Sequence, residues 1–476
     1  MTPSVTPASA SSVTPASTSA SVPATESKRR LRVLTELPGP KSRALRTQEA
    51  EHLAPGTQAI WEYAGIAVES GSGSELLDVD GNRFLDLVAG ISVAALGYAH
   101  PRYLAEFGAQ LAKIHVGSFT TEARLKALSL LARMLPPELD KIQLFSGGSE
   151  AVESALRLAR AYTGKFEVLS FWGGFHGKTS GALAQMGSDF KHGLGPMPPG
   201  AHLTPYADCA RCPFKLKHPS CGLLCVEFAR EKLKKETTGK LAAILVEPMQ
   251  GTAGNIVPPP DFLRAVQDVA RENQALLIAD EMITGFARTG KAFGIGHSGI
   301  KPDIMTLGKG MGGGYPATAV ATRAEIARAE PWSKPSFSSS SYGGNPLAAA
   351  AIASSLGIIA DEKLTENAAR VGSRLKIGLS ALAERHPSMA NVRGEGLFLG
   401  FDLVKPGSAE PWTTAECRKL FDATLRRGLV TMAYAPRVRI NPPLILTEAE
   451  ADESLAVLDE SLTEVEGHHH AVAKSA

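Results

Sequence analysis

The stretch TLGKGMGGGYP, residues 306–316, decides how this chain is interpreted, because it places Lys309 between an apolar run and a glycine cluster. An ε-amine on a rigid, partly desolvated backbone loses its proton more readily than a surface lysine does. Such an amine can form a Schiff base with a carbonyl cofactor such as pyridoxal 5'-phosphate (PLP). A surface lysine in a turn is the alternative, since paired glycines also mark ordinary loops. The rest of the chain has to decide between the two.

Length and composition are those of an ordinary globular protein with more than one substructure. The 476 residues exceed the usual size of one domain, and 44% hydrophobic with 21% charged residues fit a folded chain. The formal net charge is +2 and the basic residues are scattered, which gives no electrostatic reason to expect a nucleic-acid partner. No apolar run approaches the roughly 18 residues that span a bilayer, so no membrane partner is expected.

The two ends of the chain differ in composition from the rest. Residues 1–28 are rich in Ser, Thr, Ala and Pro, with no apolar h-region and no basic residue before Lys28. This pattern predicts a disordered tail and neither a secretory signal nor a transit peptide, so we expect a cytoplasmic protein. Residues 466–476 are predicted to be a flexible tail, with weak metal binding by their histidines as the alternative.

Short apolar runs alternate with amphipathic segments from about residue 103 onward. Strand and helix taken in turn predict an α/β fold with a mainly parallel central sheet covered by helices on both faces. The predicted strands are KIQLFS (141–146), FEVLSFW (166–172), AAILVEP (242–248), ALLIADE (275–281) and DIMTLGK (303–309). Ligands in such sheets bind at the carboxyl ends of the strands, which here hold residues 146–149, 172–176, Glu247, Asp280 and Lys309.

The pattern also predicts a division into domains. A hairpin turning at Asp80-Gly81 and an extended arm precede the alternating region, and a long helix followed by an α+β segment comes after it. We therefore predict an N-terminal segment over 29–95 that joins the small domain. A large cofactor-binding domain over 96–350 and a smaller α+β domain over 351–465 follow.

The segment SGGSEAVESALRLARAY (146–162) places glycines and a serine before an amphipathic helix. Backbone N–H groups at such a helix start can bind a phosphate, helped by the helix dipole; an ordinary capping box is the alternative. Asp280 ends the buried strand LLIAD, where an ionised carboxylate is costly unless a cation faces it. A protonated pyridine nitrogen would be such a cation, and a structural aspartate that caps the next loop is the alternative.

Two further segments contribute candidate pocket residues. FHGKTSGA (175–182) puts Phe175, which could stack on a cofactor ring, beside His176, which could pack next to it. A core histidine with satisfied hydrogen bonds is the alternative for His176. In the loop after the hairpin, Gly90, Ile91 and Val93 could line a pocket, or Ile91 and Val93 could belong to the core.

These parts together resemble the class III (subgroup II, ω) aminotransferases, which are fold-type I PLP-dependent enzymes, across nearly the whole chain after residue 30. The opening LTELPGPKSRAL (34–45) resembles that of bacterial 4-aminobutyrate aminotransferases in particular. The motifs that carry the resemblance occur in the family's order. They are SGGSEA (146–151), FHGKT (175–179), EPMQG (247–251), DEMITGFARTG (280–290), TLGKGMGGGYP (306–316) and SYGGNPLAAAA (341–351).

The resemblance implies roles for residues around the cofactor. Lys309 would be the Schiff-base lysine, and Asp280 the partner of the pyridinium nitrogen. Gly148 and Ser149 would bind the phosphate, with Gly147 beside them.

The resemblance also places residues on the two faces of PLP and in a second subunit. Phe175 would stack on the ring, and Met282 would pack on the opposite face, where the family usually has valine. Ser341 stands where the family usually has a threonine that reaches the phosphate of the neighbouring subunit's PLP. Such shared sites imply a homodimer or a dimer of dimers.

Three positions concern the substrate. Arg439, in RVRINPPL (437–444), matches the arginine that pairs with a substrate carboxylate; a solvated surface arginine is the alternative. Lys178 stands where 4-aminobutyrate aminotransferases have an arginine for the distal carboxylate. Thr252 stands where those enzymes have a glutamate that shields the Arg439 equivalent. Because Thr252 cannot neutralise Arg439, this arginine would stay open to a carboxylate in both half-reactions.

Four of the five cysteines lie in CARCPFKLKHPSCGLLC (209–225). Clustered thiols in a cytosolic chain indicate a metal more than a disulfide. A zinc site or an iron–sulfur cluster held by Cys209, Cys212, Cys221 and Cys225 is therefore one interpretation, and free thiols in a loop are the other.

Transamination is the leading functional hypothesis. The enzyme would move an amino group from an amine or amino acid, with a 4-aminobutyrate-like or other ω-amino acid donor, to a 2-oxo acid. Amino-acid racemisation or epimerisation is the alternative, because class III also contains racemases and their segments resemble the cysteine-rich insert and IVPPPDFLRA (256–265). A PLP-binding protein without turnover is a third hypothesis, disfavoured by the presence of both Lys309 and Asp280.

Overall fold

The structure is a computed structural model and describes residues 31–473, so the predicted tail over 1–28 and residues 474–476 lie outside the described residues. The helices are α1 Pro40–Ala50, α2 Ala59–Ala64, α3 Ala89–Ser92, α4 Pro101–Leu111, α5 Glu122–Met134, α6 Gly148–Thr163, α7 Ser180–Ala184, α8 Leu224–Glu236, α9 Phe262–Glu272, α10 Ala324–Ala327, α11 Pro346–Asp361, α12 Leu364–Arg385, α13 Thr414–Arg426 and α14 Glu448–Ala473. The strands are β1 Val68–Ser72, β2 Glu75–Asp78, β3 Arg83–Asp86, β4 Lys141–Phe145, β5 Glu167–Phe171, β6 Ala201–Thr204, β7 Leu241–Val246, β8 Leu276–Asp280, β9 Ile304–Leu307, β10 Thr318–Thr322, β11 Met389–Glu395, β12 Phe398–Leu403, β13 Leu429–Val430 and β14 Arg437–Ile440.

The central sheet has seven strands in the order β4-β10-β9-β8-β7-β5-β6. The pairs from β9 to β6 are all parallel, whereas β10 runs antiparallel to both of its neighbours. The prediction of a mainly parallel sheet is therefore confirmed, and the five predicted runs form β4, β5, β7, β8 and β9. The sequence analysis did not find β6 and β10.

Both faces of the central sheet are covered, as the uninterrupted apolar runs predict. Alternate residues of β7 point to opposite faces: Ile244 and Val246 belong to one apolar cluster, and Ala243 and Leu245 belong to the other. Helix α6 packs on the second face, because its buried side chains belong to the same cluster as Ala243. Helix α9 packs on the first face through residues such as Phe262.

Two smaller sheets flank this core. The predicted hairpin at Asp80-Gly81 is confirmed, because β2 and β3 pair antiparallel with Leu77 opposite Arg83. Strand β3 also pairs in parallel with β13, so the first part of the chain shares a sheet of order β1-β2-β3-β13 with the last part. The third sheet has the order β11-β12-β14. The predicted domain boundaries remain a prediction.

The last helix runs further than the pattern predicts. Helix α14 continues through residues 466–473, a segment assigned from sequence to a C-terminal tail. Within residues 31–473, no helix is both long enough and apolar enough to cross a membrane.

Candidate active site

Three neighbouring strands of the central sheet end beside one another and supply the charged centre of the site. Glu247 follows β7, Asp280 ends β8, and Lys309 comes two residues after β9. Strands β8 and β9 are in register with Asp280 opposite Thr306. The parallel arrangement therefore gathers two carboxylates and an amine at the carboxyl edge of the sheet, where ligands of α/β proteins bind.

Asp280 is buried, and each of its two carboxylate oxygens has a hydrogen-bond partner. Its Oδ2 lies 2.7 Å from Nδ1 of His176, and its Oδ1 accepts hydrogen bonds from the Thr306 hydroxyl at 3.0 Å and the Met282 amide at 3.2 Å. Burial opposes protonation of His176, but the hydrogen bond to Asp280 and the charges of Asp280 and Glu247 outweigh it and raise the pKa of His176. His176 and Asp280 therefore form a buried hydrogen-bonded pair, and this pairing favours the charged form of His176.

Glu247 joins two loops beneath the site. Its Oε1 accepts a hydrogen bond from the Phe175 amide at 2.8 Å, and its Oε2 accepts one from the Gly251 amide at 2.9 Å. Burial raises the pKa of Glu247 to about 7; the charge of Asp280 adds to the shift, while that of His176 opposes it. A near-neutral carboxyl group thus fixes the loop that carries Phe175 against the loop that follows β7.

Lys309 begins a short 3₁₀ turn, Lys309–Gly312, in an unusual backbone conformation. Its φ is +47°, a region that non-glycine residues rarely occupy and that often marks functional sites. Burial lowers the pKa of its amine, as does the charge of Arg439, against the opposing charges of Asp280 and Glu247. A larger neutral fraction makes the amine a better nucleophile and proton acceptor than a surface lysine.

The start of α6 has the geometry expected for the predicted phosphate cradle. The Glu150 carboxylate accepts hydrogen bonds from the amides of Ser146 and Gly147, each at 3.0 Å, which orders the turn before the helix. The Thr318 hydroxyl donates to the Gly147 carbonyl at 3.0 Å and ties this turn to β10. The first-turn amides of Gly148 and Ser149 have no carbonyl partner inside the helix, which is the arrangement that binds anions.

Close packing around this cradle requires glycine at position 177 and brings Met282 near two other glycines. A Cβ on Gly177 would lie 2.2 Å from the Ser149 hydroxyl, and the φ of Gly177 is +128°. A Cβ on Gly148 would lie 3.5 Å from the Met282 sulfur, and one on Gly308 would lie 2.5 Å from it. Met282 therefore lies between the helix start and the residue before Lys309, next to both predicted cofactor contacts.

Phe175 is partly buried and packs edge to face on Phe190, with ring centroids 5.3 Å apart. The Lys178 amide donates to the Ser149 hydroxyl at 3.2 Å, while the Lys178 ammonium lies 5.2 Å from the centre of the Phe190 ring. Phe190 thus bridges the predicted cofactor-stacking residue and the predicted distal-carboxylate residue.

An open cavity of about 610 Å³ adjoins this centre, and its lining includes Thr252, Tyr434 and Arg439. The guanidinium Nη1 of Arg439 is buried and has no hydrogen-bond partner among the described residues. Burial lowers the pKa of Arg439, and Tyr434 and Glu247 oppose that shift. A buried guanidinium with an unused donor facing a cavity suits a carboxylate ligand.

Two further residues that the sequence assigns to the site lie on other segments of the chain. Ile91 is partly buried in a turn, α3, where Ala89, Gly90, Ile91 and Ser92 all have positive φ. Ser341 is exposed on the loop before α11. The roles assigned to both from the family resemblance remain predictions.

The four cysteines lie together, as their spacing suggests, but their arrangement does not support a metal site. Cys209, Cys212, Cys221 and Cys225 line one small cavity together with His218. Among the side chains that the structure describes, however, no group of three or more His, Cys, Asp or Glu residues is arranged to hold a metal ion. Burial raises the pKa of Cys209, and that of Cys225 to about 11. The zinc or iron–sulfur site is therefore not supported.

Two contributors to the centre were not assigned from sequence. Glu247 was noted only as a strand end, because its partners are amides of distant loops that no local pattern connects. Thr306 reads as one more residue of an apolar strand, and only the β8–β9 register places its hydroxyl on Asp280.

The residues present fit PLP. The first turn of α6 suits its phosphate, Met282 packs beside that turn, and Lys309 supplies an amine of lowered pKa. Asp280, whose Oδ2 is paired with the raised-pKa His176, is a carboxylate suited to a protonated ring nitrogen.

Comparisons with known proteins agree with this geometry. The family model described as aminotransferase class-III matches residues 58–462. The chain is 34% identical over 411 residues to a leucine/methionine racemase of Thermococcus litoralis, covering 85% of this chain and 92% of the relative. It is 33% identical over 450 residues to a 4-aminobutyrate aminotransferase of Mycobacterium bovis, covering 90% and 97%.

A solved structure shows the same fold. An amine transaminase from an uncultivated Pseudomonas species, in a PLP-bound form, superposes with a TM-score of 0.82 at 29% identity, covering 87% of this chain and 99% of that one. Proteins of similar identity thus carry names that differ in substrate and, for the racemase, in reaction.

Proposed function

Since the chain belongs to the class III aminotransferase family and is a PLP-dependent enzyme of that class, we propose that it transfers an amino group from a 4-aminobutyrate-like ω-amino acid, or a related amine or amino acid, to a 2-oxo acid. It works as a homodimer. The residues of this chain that bind, orient and move protons are those gathered at the ends of β7, β8 and β9.

The observation that carries the proposal is the unpaired guanidinium nitrogen of Arg439. It is buried at a cavity that also exposes Thr252, and the charge of Arg439 acts on the amine of Lys309. A carboxylate bound there would satisfy the donor and bring a substrate's reacting carbon toward Lys309. A 2-oxo acid has such a carboxylate, and a simple amine needs none.

Lys309 is the proton carrier of the proposed reaction. When bound, PLP withdraws electrons from the substrate carbon that loses its proton. The lowered pKa of Lys309 favours the neutral amine, which would accept that proton and then donate it to the cofactor carbon joined to the transferred nitrogen. The position of Lys309 directly after β9 and its constrained backbone hold the amine in one place for both steps.

The surrounding residues orient the reactants. His176 and the Thr306 hydroxyl hold the Asp280 carboxyl group in place, where it would face a positively charged ring nitrogen. Phe175 and Met282 would cover the two faces of the ring, and Gly148 and Ser149 would bind the phosphate. Ser341 would reach the phosphate in the partner subunit, which is why two chains would be needed.

The proposed donor class rests on the composition of the cavity wall. Lys178 can neutralise a distal carboxylate as a point charge but cannot bind it with two parallel hydrogen bonds. Thr252 carries no charge, so nothing at that position competes with a substrate carboxylate for Arg439. A donor with its amine far from its carboxylate satisfies Lys178 without occupying Arg439, whereas a 2-oxo acid occupies Arg439.

A donor panel tests the proposal. Purified holoenzyme is incubated with a simple amine, a diamine, 4-aminobutyrate and an α-amino acid, each with pyruvate or 2-oxoglutarate, and the amino acid formed from the acceptor is quantified. The proposal expects amino transfer, with 4-aminobutyrate among the best donors by kcat/KM. Transfer from α-amino acids alone would refute the donor class, and no transfer from any donor would refute the function.

Racemisation is the competing function, favoured by the similarity to the racemase. It requires a second acid that can protonate the substrate carbon on the face opposite Lys309. Thr252, which lines the cavity, has a hydroxyl that is a weak acid and so is a poor candidate for this role. Inversion of leucine or methionine without amino transfer would establish this alternative.

A further inference from the structure

Arg437 and Arg439 point to the same side of β14. Side chains two residues apart on a strand share a face, and the intervening Val438 is buried in the core, as is Ile440. Both arginines line the cavity of about 610 Å³ described above. Two guanidinium groups therefore face one cavity from positions about 6.6 Å apart along the strand.

Arg437 has few internal partners for its charge. Its Nη1 donates to the Ala253 carbonyl at 2.9 Å and lies 3.8 Å from Oδ2 of Asp208. The side chain is 36% exposed and forms part of the cavity wall. Burial lowers the pKa of Arg437, and the charge of the neighbouring Arg211 adds to that shift.

The surrounding charges leave a positive surplus. Arg211, Arg393 and Arg437 face two carboxylates, Asp208 and Asp402. Asp402 is taken by Arg211 and Arg393, each at 3.0 Å.

Asp208 is the nearest carboxylate to Arg437, but it lies 4.0 Å from Arg211 and 3.8 Å from Arg437, too far for a hydrogen bond to either. An anion from the cavity side would balance the extra charge.

One acidic residue, Asp189, also lines the cavity, and its charge offsets the positive charge of the arginines only slightly. The Asp189 side chain is 95% exposed and lies 3.7 Å from the ring of His192. Water and salt screen an exposed carboxylate strongly, whereas the partly buried arginines are screened less.

We propose that Arg437 is a second carboxylate-binding residue of this cavity, which makes the enzyme select a dicarboxylic 2-oxo acid, and the amino acid formed from it, over a monocarboxylic partner. Arg439 binds the carboxylate next to the reacting carbon of the 2-oxo acid. Its distal carboxylate is bound by Arg437, which lines the cavity, and the role proposed for Lys178 is confined to the carboxylate of the donor. The inference rests on the proposed amino transfer for its chemistry, while the placement of both arginines is independent of it.

A binding measurement separates the inference from turnover. Glutarate and butanoate, which carry neither an amino nor an oxo group, are titrated calorimetrically into the holoenzyme. The wild-type chain is expected to bind glutarate about tenfold more tightly than butanoate, since one charge-assisted contact adds that much. Arg437→Gln removes this difference and leaves butanoate affinity within about twofold, whereas Arg437→Lys keeps part of it.

The controls distinguish a binding role from a structural one. Arg271→Gln changes an exposed arginine paired with Asp268 on α9, and it should leave both affinities unchanged. Arg439→Gln should weaken glutarate and butanoate together. No glutarate preference in the wild-type chain, or equal weakening of both ligands by Arg437→Gln, would overturn the inference.

The two proposals can fail separately. A glutarate preference that Arg437→Gln removes, in an enzyme that transfers no amino group, would leave the Arg437 site standing and sink the proposed function. Amino transfer that uses pyruvate and 2-oxoglutarate equally well in both the wild-type chain and Arg437→Gln would sink the Arg437 site alone.

Discussion

Nδ1 of His176 lies 2.7 Å from Oδ2 of Asp280, and both side chains are about 1% exposed. The exposed pair His192 and Asp189, 3.7 Å apart, has the same chemistry in water. Replacing His176 by Phe leaves the buried Asp280 carboxyl group without this partner, which should cost roughly 3–5 kcal/mol of unfolding free energy. Urea unfolding of the apoenzyme, in which no cofactor ring faces Asp280, measures the loss.

His192→Phe is the matched control for this change. An exposed pair contributes at most about 1 kcal/mol, so this variant should unfold near the wild-type midpoint. If both variants lose the same stability, the buried pair contributes no more to stability than the exposed pair does.

Gly177 is expected to be irreplaceable at the phosphate cradle. A Cβ there would lie 2.2 Å from the Ser149 hydroxyl at a φ of +128°, so Gly177→Ala must push the loop away from α6. A strain of about 1–3 kcal/mol at this contact corresponds to a loss of PLP affinity of roughly tenfold or more. Fluorescence titration of the apoenzyme with PLP measures it.

Gly193→Ala controls for backbone strain alone, since Gly193 has a φ of +74° and nothing within 4 Å of its Cβ position. Its PLP affinity should equal that of the wild-type chain. Equal affinities of all three proteins would show that the loop and the helix start do not cooperate in binding.

Glu247 should make stability depend on pH. Its folded-state pKa is about 7, above the ordinary value of 4.5, so the folded chain holds this proton more tightly than the unfolded chain does. Its contribution is most favourable below pH 4.5 and becomes less favourable as the pH rises to 7, by roughly 3 kcal/mol. Glu247→Gln removes this titration, so its stability penalty should be larger at pH 5 than at pH 8.

Thermal midpoints of wild-type and variant holoenzyme at the two pH values test this sign. Glu384→Gln, a change at an exposed position of α12, should show no such difference. A penalty for Glu247→Gln that grows toward pH 8 would mean that Glu247 is ionised and stabilising in the folded protein.

Arg439 is expected to act on the acceptor more than on the donor. Arg439→Gln removes a charge-assisted contact to the carboxylate, which should raise the KM for 2-oxo acids about 10- to 100-fold. The KM of a donor amine without a carboxylate should stay within about threefold, because that donor makes no such contact. Initial rates with one substrate varied at a time separate the two values.

Arg439→Lys retains the charge but loses the paired hydrogen bonds, so its acceptor KM should fall between the other two. An equal rise in the KM of donor and acceptor would indicate that Arg439 only shapes the cavity.

Local sequence patterns predict much of the fold, but they do not predict strands β6 and β10. The run LLIAD predicts β8 because an uninterrupted apolar run is typical of a strand covered on both faces of its sheet. In the structure all five of its residues are buried. Strand β10, TAVAT, is short and weakly apolar, and it becomes a strand because β4 and β9 supply hydrogen-bonding partners on both sides. Strand β6, AHLT, likewise depends on pairing with β5.

Some features of the site could likewise be predicted from the sequence, and others could not. Lys309 and Asp280 stand at the ends of recognisable strands, so their proximity follows from the parallel sheet. The contacts of Glu247 with Phe175 and Gly251 depend on how two loops fold over the strand ends, which no spacing encodes. The arrangement of the four clustered cysteines was likewise beyond the sequence, because their spacing does not fix where the thiols point.

The central claim, that Lys309 carries the proton in an amino transfer, is tested most directly by one half-reaction. The holoenzyme is mixed with a single amino donor in heavy water without any 2-oxo acid. Cofactor absorbance is followed, together with deuterium at the carbon that bears the donor's amino group. The account predicts conversion to the pyridoxamine phosphate form and its reversal by 2-oxo acid. Lys309→Ala should slow this conversion at least about a thousandfold, and Lys301→Ala, at an exposed lysine paired with Glu138, should not. Deuterated D-amino acid without a persistent pyridoxamine form, or normal conversion by Lys309→Ala, would contradict the account.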